Sequence, residues 1–187
     1  MRKLIVQAWM TLDGVFDADT MDKWFIPYRS EERDEIISET VNNADAFLVG
    51  RTTYEMLAPY WSTKKNNEDG IAARLNSAPK YVVSSKLQDR DATWNNSRVI
   101  RGDVVDEVKK LKKEPGNRIV LMGSAKLVES LMPADLVDEY RLMIHPIVMG
   151  TGKRFFREGV SVTKMHLVRE RPLALGVASM TYEPARD

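Results

Sequence analysis

Residues 118–131 read RIVLMGSAKLVESL, and the order of residue types in this stretch decides the fold class. Residues 118–122 form a short apolar run, which predicts a buried strand. Gly123 follows directly, and residues 125–131 have helical spacing until Pro133, which ends the helix. A strand, a glycine and a helix therefore follow one another without a gap, as they do in α/β proteins.

The same order of elements occurs at residues 46–55, AFLVGRTTYE. Residues 46–49 predict a buried strand that Gly50 stops, and Thr52-Thr53-Tyr54-Glu55 matches a capping box that opens the next helix. Other elements surround these two units. We expect strands over 3–9, 80–84 and 98–101, and helices over 31–43, 71–75 and 103–113, with Ser30 and Asp103 as caps.

After about residue 137 the pattern changes to three β-rich segments, which are 137–150, 161–171 and 176–184. Turn signals separate these segments, so we predict antiparallel strands that finish the sheet. The whole chain, residues 1–187, is predicted to be one α/β domain. Its architecture is a three-layer fold with a mostly parallel central sheet and antiparallel C-terminal strands.

Composition excludes several classes of function. With 28 basic and 27 acidic residues the net charge is +1, so the chain lacks the overall field that draws proteins to nucleic acid or anionic membranes. Cysteine is absent, which excludes disulfides, thiolate metal sites and a cysteine nucleophile. No apolar stretch approaches the ~20 residues that span a bilayer, and the N-terminal segment does not read as a secretory signal. We therefore predict a soluble, cytoplasmic protein with no nucleic-acid or membrane partner.

Three turns that follow predicted strands carry anion-binding residues. Gly50-Arg51-Thr52 and Gly123-Ser124-Ala125-Lys126 each stand where a helix begins, so free N–H groups and the helix dipole favour a phosphate. Ser84-Ser85-Lys86 offers two hydroxyls and an ammonium. Each turn alone also fits ordinary capping beside a solvated basic residue. Their threefold recurrence favours one phosphorylated dinucleotide.

Other nucleotide and metal motifs do not occur in the sequence. Gly150 and Gly152 lie between β-rich segments and lack the third glycine of a Rossmann fingerprint. His145 and His166 lie in predicted strands, and neither has a partner at metal-ligand spacing. We predict no metal site.

The ordered motifs resemble the dihydrofolate-reductase-like superfamily, and most closely the reductase domain of bifunctional riboflavin-pathway deaminase-reductases. They are TLDG at 11–14, LVGRTTYE at 48–55, VVSSKL at 82–87, MGSAKLVESL at 122–131 and DEYRLMIHPIVMGTGKRFF at 138–156. The resemblance implies a dihydrofolate reductase-like fold and an NADPH-dependent oxidoreductase. It also implies a homodimer, for which the β-rich tail offers an edge.

By this resemblance, NADPH would lie across the carboxyl ends of the strands. The loop after the first strand would cover the nicotinamide, the turns at 50–53 and 84–86 would hold the adenosine phosphates, and the turn at 123–126 would hold the pyrophosphate. The implied cofactor-binding residues are Ala8, Thr11, Leu12, Gly14, Gly50, Arg51, Thr52, Thr53, Ser84, Ser85, Lys86, Gly123, Ser124, Ala125, Lys126 and Leu127.

The substrate implied by the resemblance is a pyrimidine- or pterin-like heteroaromatic ring. Trp24, Phe25 and Tyr54 are the expected substrate contacts, since aromatic side chains stack on flat rings. Packing in the core is the alternative for these aromatics. Asp13 and Glu32 are the candidate proton donors, with ordered water as a third source and a simple turn as the alternative for Asp13.

Two departures from the related families bear on the substrate. Folate reductases keep an acid two residues after the proline that precedes their first helix, whereas Arg29 stands at that position here. Riboflavin-pathway reductases show an acid–proline pair soon after the second strand, whereas residues 53–59 here read TYEMLAP. Three readings stay open: a riboflavin-pathway type of reductase acting on a phosphoribosylamino-uracil, a dihydrofolate or pteridine reductase, and a non-catalytic NADP(H)-binding regulatory protein.

Overall fold

One eight-stranded sheet runs through the computed structural model, which describes residues 1–186. Its central strands are short apolar runs buried on both faces, as expected where helices cover both sides of a sheet. The strands are β1 (Lys3–Thr11), β2 (Ala46–Gly50), β3 (Lys80–Val83), β4 (Ser97–Ile100), β5 (Arg118–Leu121), β6 (Glu139–His145), β7 (Met165–Pro172) and β8 (Ala178–Pro184). Their order across the sheet is β4-β3-β2-β5-β1-β6-β8-β7.

Strand direction confirms a mostly parallel sheet with antiparallel pairing at its C-terminal end. The pairs from β4 across to β1 are all parallel. The prediction that the β-rich tail consists of antiparallel strands is wrong for β6, which pairs parallel to β1 from Ile5–Glu139 to Thr11–His145. Strand β8 pairs antiparallel with both β6 and β7. The segment between β5 and β6 contains a helix, and such a crossover returns the chain to the same end of the sheet.

Helices cover both faces of the sheet. They are α1 (Met21–Trp24), α2 (Glu31–Asn42), α3 (Arg51–Trp61), α4 (Ala72–Ser77), α5 (Val104–Lys113) and α6 (Ala125–Leu131). Side chains from α5 and α6 pack against one face of β1, and those of α2, α3 and α4 pack against the opposite face of the sheet. The three predicted layers are therefore present. None of the helices within residues 1–186 is both long enough and apolar enough to cross a bilayer.

Three helices begin where the sequence predicts, and one does not. Ser30, Asp103 and Ser124 each accept a hydrogen bond from a backbone N–H three residues later, as N-cap residues do. The predicted capping box at Thr52 is wrong, because α3 already begins at Arg51 and its N-cap is Gly50. With no side chain at the cap, the N–H groups of the first turn keep no side-chain partner.

Candidate functional site

Two glycine turns meet at the carboxyl ends of β2 and β5, because parallel strands end at the same edge of the sheet. The Gly50 N–H donates to the Gly123 carbonyl oxygen at 3.1 Å. A Cβ atom on Gly50 would lie 2.9 Å from Ser124 Oγ, and one on Gly123 would lie 3.1 Å from Thr53 Oγ1. These two turns, which we call the glycine cradle, pack against each other so closely that both glycines are buried and neither position has room for a side chain. Exposed residues at the starts of α3 and α6, Thr52 and Lys126, border the cradle.

Some side chains around the glycine cradle are exposed, and others are engaged in hydrogen bonds or packed in the core. Arg51 is half exposed and pairs with Glu55 one turn along α3, with Nη1–Oε distances of 2.8 and 2.9 Å. Thr52 and Lys126 are exposed. Ser124 Oγ accepts from the Leu127 N–H at 3.3 Å. The Leu127 side chain is buried in the core and Ala125 packs against it, so these two residues present only backbone to a ligand.

The third predicted turn lies beside the cradle, since β3 pairs with β2. Ser84 is buried, and its hydroxyl accepts from the N–H groups of Lys86 and Leu87 at 3.0 and 2.9 Å. Ser85 and Lys86 are exposed. The turn therefore holds its shape through Ser84 and leaves the other two side chains free for an anion.

The first loop, residues 12–17, is anchored to the segment 147–155. Its backbone pairs with that segment through Leu12 N to Ile147 O at 2.9 Å and Phe16 N to Lys153 O at 2.7 Å. Lys153 Nζ also lies 3.1 Å from Asp17 Oδ1. Leu12 is 66% exposed, and Gly14 turns the chain at φ +80°. The Phe16 ring lies 3.4 Å from the place where a Cβ on Gly123 would stand, so this loop covers the glycine cradle.

Asp13 belongs to this anchor. Its carboxylate accepts from the Thr11 hydroxyl at 2.6 Å, from the Met149 N–H at 3.1 Å and from the Gly150 N–H at 2.9 Å. These hydrogen bonds, with that from Thr11 the strongest, lower the pKa of Asp13 to about 2. A carboxylate that stays ionised and fully bonded has no proton to give, so the geometry argues against the predicted role of Asp13 as proton donor.

A cavity of about 230 Å³ opens beside the glycine cradle, on the face of the sheet covered by α2, α3 and α4. Met122, next to Gly123 in the chain, forms part of its lining. The Trp9 and Phe25 rings also line it and stack with centroids 4.6 Å apart. Ala8, the neighbour of Trp9, points to the opposite face and is packed in the core there, with 1% of its surface exposed.

Arg33 lines the same cavity and is only 3% exposed. Its Nη1 donates to the Phe25 carbonyl oxygen at 2.7 Å, its Nη2 lies 3.3 Å from Asp34 Oδ1, and its guanidinium carbon stands 4.2 Å above the centre of the Phe25 ring. Burial lowers the pKa of Arg33. Its Nε and the Trp9 Nε1 are buried and have no hydrogen-bond partner among residues 1–186. We call Trp9, Phe25 and Arg33 the cavity wall.

Ionic side chains form the rim of the cavity. Arg29 donates to Asp34 at 2.8 Å and to Asp69 at 3.0 Å, and all three side chains reach solvent. Hydrogen bonds from Arg29, first to Asp34 and then to Asp69, raise its pKa above the ordinary arginine value. The position that carries an acid in folate reductases therefore carries a permanent cation here.

Sequence reasoning missed Trp9, Arg33, Asp34 and Met122. A signal existed for Arg33, which stands four residues before Ile37 and eight before Val41, on the apolar face of its helix. Trp9 alternates with Ala8 along β1, so one of the two had to face the α2 side.

Two of the three aromatic residues predicted to contact the substrate are packed in the core. Trp24 is 1% exposed, and its Nε1 donates to the Asp17 carbonyl and to Thr20 Oγ1, both at 3.2 Å. Tyr54 is 2% exposed, and its hydroxyl accepts from the Trp94 N–H at 2.9 Å. Core packing and internal hydrogen bonds use both side chains, so the geometry argues against the predicted substrate contacts. Phe25 does line the cavity.

Glu32, the second predicted proton donor, points away from the cavity. Its Oε2 accepts from the Ala174 N–H at 2.7 Å and so ties α2 to the turn between β7 and β8. The side chain does not line the cavity, so the geometry argues against a catalytic role for Glu32.

The two histidines lie in different surroundings. His145 is fully buried with Trp24, Phe25 and Tyr28 packed edge-on or tilted around its ring, and burial lowers its pKa. His166 lies on the exposed strand β7. No group of three or more potential metal-ligating side chains occurs within residues 1–186.

Comparisons with known proteins agree with this architecture. The model of the RibD C-terminal domain family matches residues 2–178. The uncharacterized protein YyaP from Bacillus subtilis strain 168 is 30% identical over 184 residues, which cover 97% of this chain and 94% of that protein. A pyrimidine reductase-like protein from Corynebacterium diphtheriae superposes with a TM-score of 0.74 at 14% identity, over 100% of this chain and 93% of the other.

A dihydrofolate reductase from Enterococcus faecalis, solved in complex with NADP(H), superposes with a TM-score of 0.63 at 17% identity, over 98% of this chain and 97% of the other. These likenesses confirm the dihydrofolate reductase-like fold that the sequence predicts.

Proposed function

The chain belongs to the RibD C-terminal domain family of reductases, and from this we propose that it is an NADPH-dependent enzyme that transfers hydride to a small heteroaromatic ring. The ring is pyrimidine- or pterin-like, as in the reductase of riboflavin biosynthesis. The observation that carries the proposal is the glycine cradle beside an aromatic-lined cavity. The cradle would hold the phosphates of the cofactor, and the cavity, which Met122 links to the cradle, would receive the substrate ring.

The three predicted turns and the first loop each have a role in cofactor binding under this proposal. The exposed residues that border Gly50 and Gly123 would hold the phosphates, and Arg51 would exchange its partner Glu55 for one of them. Ser85 and Lys86 receive the phosphate that distinguishes NADPH from NADH. The cofactor supplies the hydride when it is bound. The first loop would cover this part of the cofactor through Phe16, which lies next to Gly123.

In the cavity, Trp9 and Phe25 orient the substrate ring, because stacked aromatic side chains favour flat ligands. Neither Asp13 nor Glu32 lines the cavity, and both carboxyls accept backbone hydrogen bonds elsewhere. The proton that completes the reduction therefore comes from water at the rim, where Arg29, Asp34 and Asp69 reach solvent.

Calorimetric titration with NADPH and with NADH tests the cofactor. We expect saturable binding of NADPH and weaker binding of NADH. Arg51→Ala should weaken NADPH binding about tenfold, the worth of one charge-assisted hydrogen bond. Arg90→Ala removes a side chain that is 86% exposed and serves as the matched control. Absence of saturable binding to either dinucleotide contradicts the proposal.

A second candidate is an NADP(H)-binding regulatory protein without turnover. The observation that favours it is the engagement of both candidate acids in structural hydrogen bonds. A dihydrofolate reductase is less well supported, since Arg29 stands where that enzyme keeps an acid. NADPH oxidation measured with pyrimidine, pterin and dihydrofolate substrates separates the three, because stoichiometric binding without oxidation of any substrate favours the regulatory protein.

We also propose a homodimer formed through the β7 edge. Seven of the eight residues of β7 are exposed, and Leu167 and Val168 are 48% and 56% exposed. An exposed edge strand with apolar side chains can pair with a second copy. Sedimentation equilibrium should give twice the 21.3 kDa chain mass. Val168→Lys should shift the protein to monomer, and a monomeric wild type contradicts this proposal.

A further inference from the structure

The segment between α3 and α4, residues 62–70, borders one side of the cavity, and we call it the strap. Its sequence is STKKNNEDG, and none of these residues is buried. Asp69 of the strap lines the cavity, as does Ile71, the buried residue that follows the strap. The strap therefore encloses part of the cavity without placing a side chain of its own in the core.

Three hydrogen bonds, which we call the latch, hold the strap to α2 and to Arg29 just before that helix. Arg29 Nη2 donates to Asp69 Oδ1 at 3.0 Å, and Ser38 Oγ donates to the Asp69 carbonyl oxygen at 3.4 Å. Asn42 Nδ2 donates to the Gly70 carbonyl oxygen at 2.9 Å. All three contacts lie at the exposed surface. Exposed ion pairs add little stability and are screened by salt, so the latch is weak.

The closed strap also carries two costs. Asp69 and Gly70 have φ values of +51° and +68°, and this left-handed backbone is unfavourable for a residue with a side chain. Glu68 Oε2 is buried and has no hydrogen-bond partner within residues 1–186, a cost that contact with water would remove. Segments with exposed hydrogen bonds and few buried apolar contacts open locally at much lower free energy than the whole domain unfolds.

We propose that the strap is a lid, which opens at the latch to admit a ligand to the cavity and closes when Arg29 pairs with Asp69 again. Arg29 is then a positioning residue, held from its own helix by Asp34 at 2.8 Å and reaching the strap from there. This inference rests on the proposed function in taking the cavity as the place of the substrate ring. Opening of the strap itself requires neither cofactor nor substrate.

The test uses the absence of cysteine from the chain, because a single introduced thiol is then the only one that reacts. Val41 is fully buried, adjoins the cavity and lies on the same side of α2 as Ser38 and Asn42. The rate at which Val41→Cys reacts with dithionitrobenzoate, an aromatic thiol reagent, measures opening above it. Val108→Cys is the matched control, since Val108 is equally buried on the opposite face of the sheet. Val41→Cys should react about tenfold faster or more.

Breaking the latch should raise the rate at one position only. Asp69→Asn keeps the size of the side chain and its tolerance of left-handed backbone but removes the charge. The Val41→Cys thiol should then react about threefold faster, and the Val108→Cys thiol at an unchanged rate. Asp34→Asn removes the other partner of Arg29 without touching the strap, so it should accelerate neither. Potassium chloride at about 1 M should accelerate Val41→Cys, but not when Asp69→Asn is also present.

Global unfolding would give a different pattern. Equal rates at Val41→Cys and Val108→Cys overturn the inference, as does an Asp69→Asn effect that is absent or is the same at both positions. Low concentrations of urea give a second measurement, because local opening exposes little surface. The Val41→Cys rate should hardly change with urea, and a dependence as steep as that of Val108→Cys also overturns the inference. Ile71→Cys repeats these measurements if Val41→Cys does not fold.

The labelling experiment and the proposed function fail separately. No cofactor or substrate is present during labelling, and NADPH titration of the same variants reports on cofactor binding alone. Saturable NADPH binding with equal labelling of the two positions defeats the lid and leaves the proposed function standing. Faster labelling at Val41→Cys without NADPH binding has the opposite meaning.

Discussion

The first loop and the cavity wall both adjoin β1, yet they use their polar atoms in opposite ways. In the first loop, Asp13 accepts three hydrogen bonds and Asp17 pairs with Lys153. In the cavity wall, the Trp9 and Arg33 donors remain unpartnered within residues 1–186. A buried polar group that is satisfied adds to stability, whereas an unsatisfied one costs free energy. The polar atoms of the first loop therefore stabilise the fold, and the unpartnered donors of the cavity wall do not.

The largest effect is expected where the first loop meets its anchor, at Gly152. This residue has φ +123°, and a Cβ on it would lie 2.8 Å from Val15 Cγ1. Gly152→Ala should lower the free energy of unfolding by about 3 kcal/mol, from backbone strain and overpacking together. Gly150→Ala is the control, since Gly150 has φ +73° but open space around it, and should cost only about 1 kcal/mol. Urea denaturation measures the free energy of unfolding of both variants. Equal losses would show that the close approach to Val15 adds no cost.

A smaller effect, dependent on pH, is expected at Asp13. Its pKa is lowered from 3.8 to about 2 in the folded protein, so its ionised form stabilises the fold above pH 4. That contribution is lost as the pH falls through 2. Asp13→Asn should therefore melt at a lower temperature than the wild type at pH 7, and the gap should narrow between pH 4 and pH 2. A gap that is constant with pH would mean that the charge of Asp13 does not anchor the loop.

Substitution of the two tryptophans sharpens the comparison directly. Trp24→Phe removes an indole N–H bonded to the Asp17 carbonyl and shrinks a fully buried side chain, which should cost about 1–2 kcal/mol. Trp9→Phe breaks no hydrogen bond within residues 1–186, so it should cost less. Denaturation by guanidinium compares the two variants. A larger loss at Trp9 would place that residue among the structural groups.

The glycine cradle could be predicted from the sequence because each of its two turns is formed by neighbouring residues. An apolar run, a glycine and a helix are visible within ten residues at both Gly50 and Gly123. Since parallel strands end at one edge of a sheet, these two local patterns also predict a meeting in space. The predicted β-rich tail had the right strands, but the parallel direction of β6 depends on the crossover through α6 and not on its own residues.

The cavity wall could not be predicted from the sequence, because its three residues belong to different elements and only the folded chain brings them together. Arg33 stands in the charged run EERDE, which looks like a solvated helix face, and only the position of Phe25 over it shows that it is buried. The roles predicted for Asp13 and Glu32 came from residue type, whereas their hydrogen-bond partners at residues 149, 150 and 174 lie more than a hundred positions away.

The smallest effect is expected at Glu32, which tests whether this carboxyl belongs with the satisfied groups. Glu32→Gln keeps an oxygen that can accept from the Ala174 N–H, so the melting temperature should stay at the wild-type value. Glu32→Ala loses that acceptor and should cost about 1 kcal/mol. Thermal melts measure the pair. A Gln variant that melts as low as the Ala variant would show that the charge of Glu32, and not the hydrogen bond alone, stabilises its contact with the turn between β7 and β8.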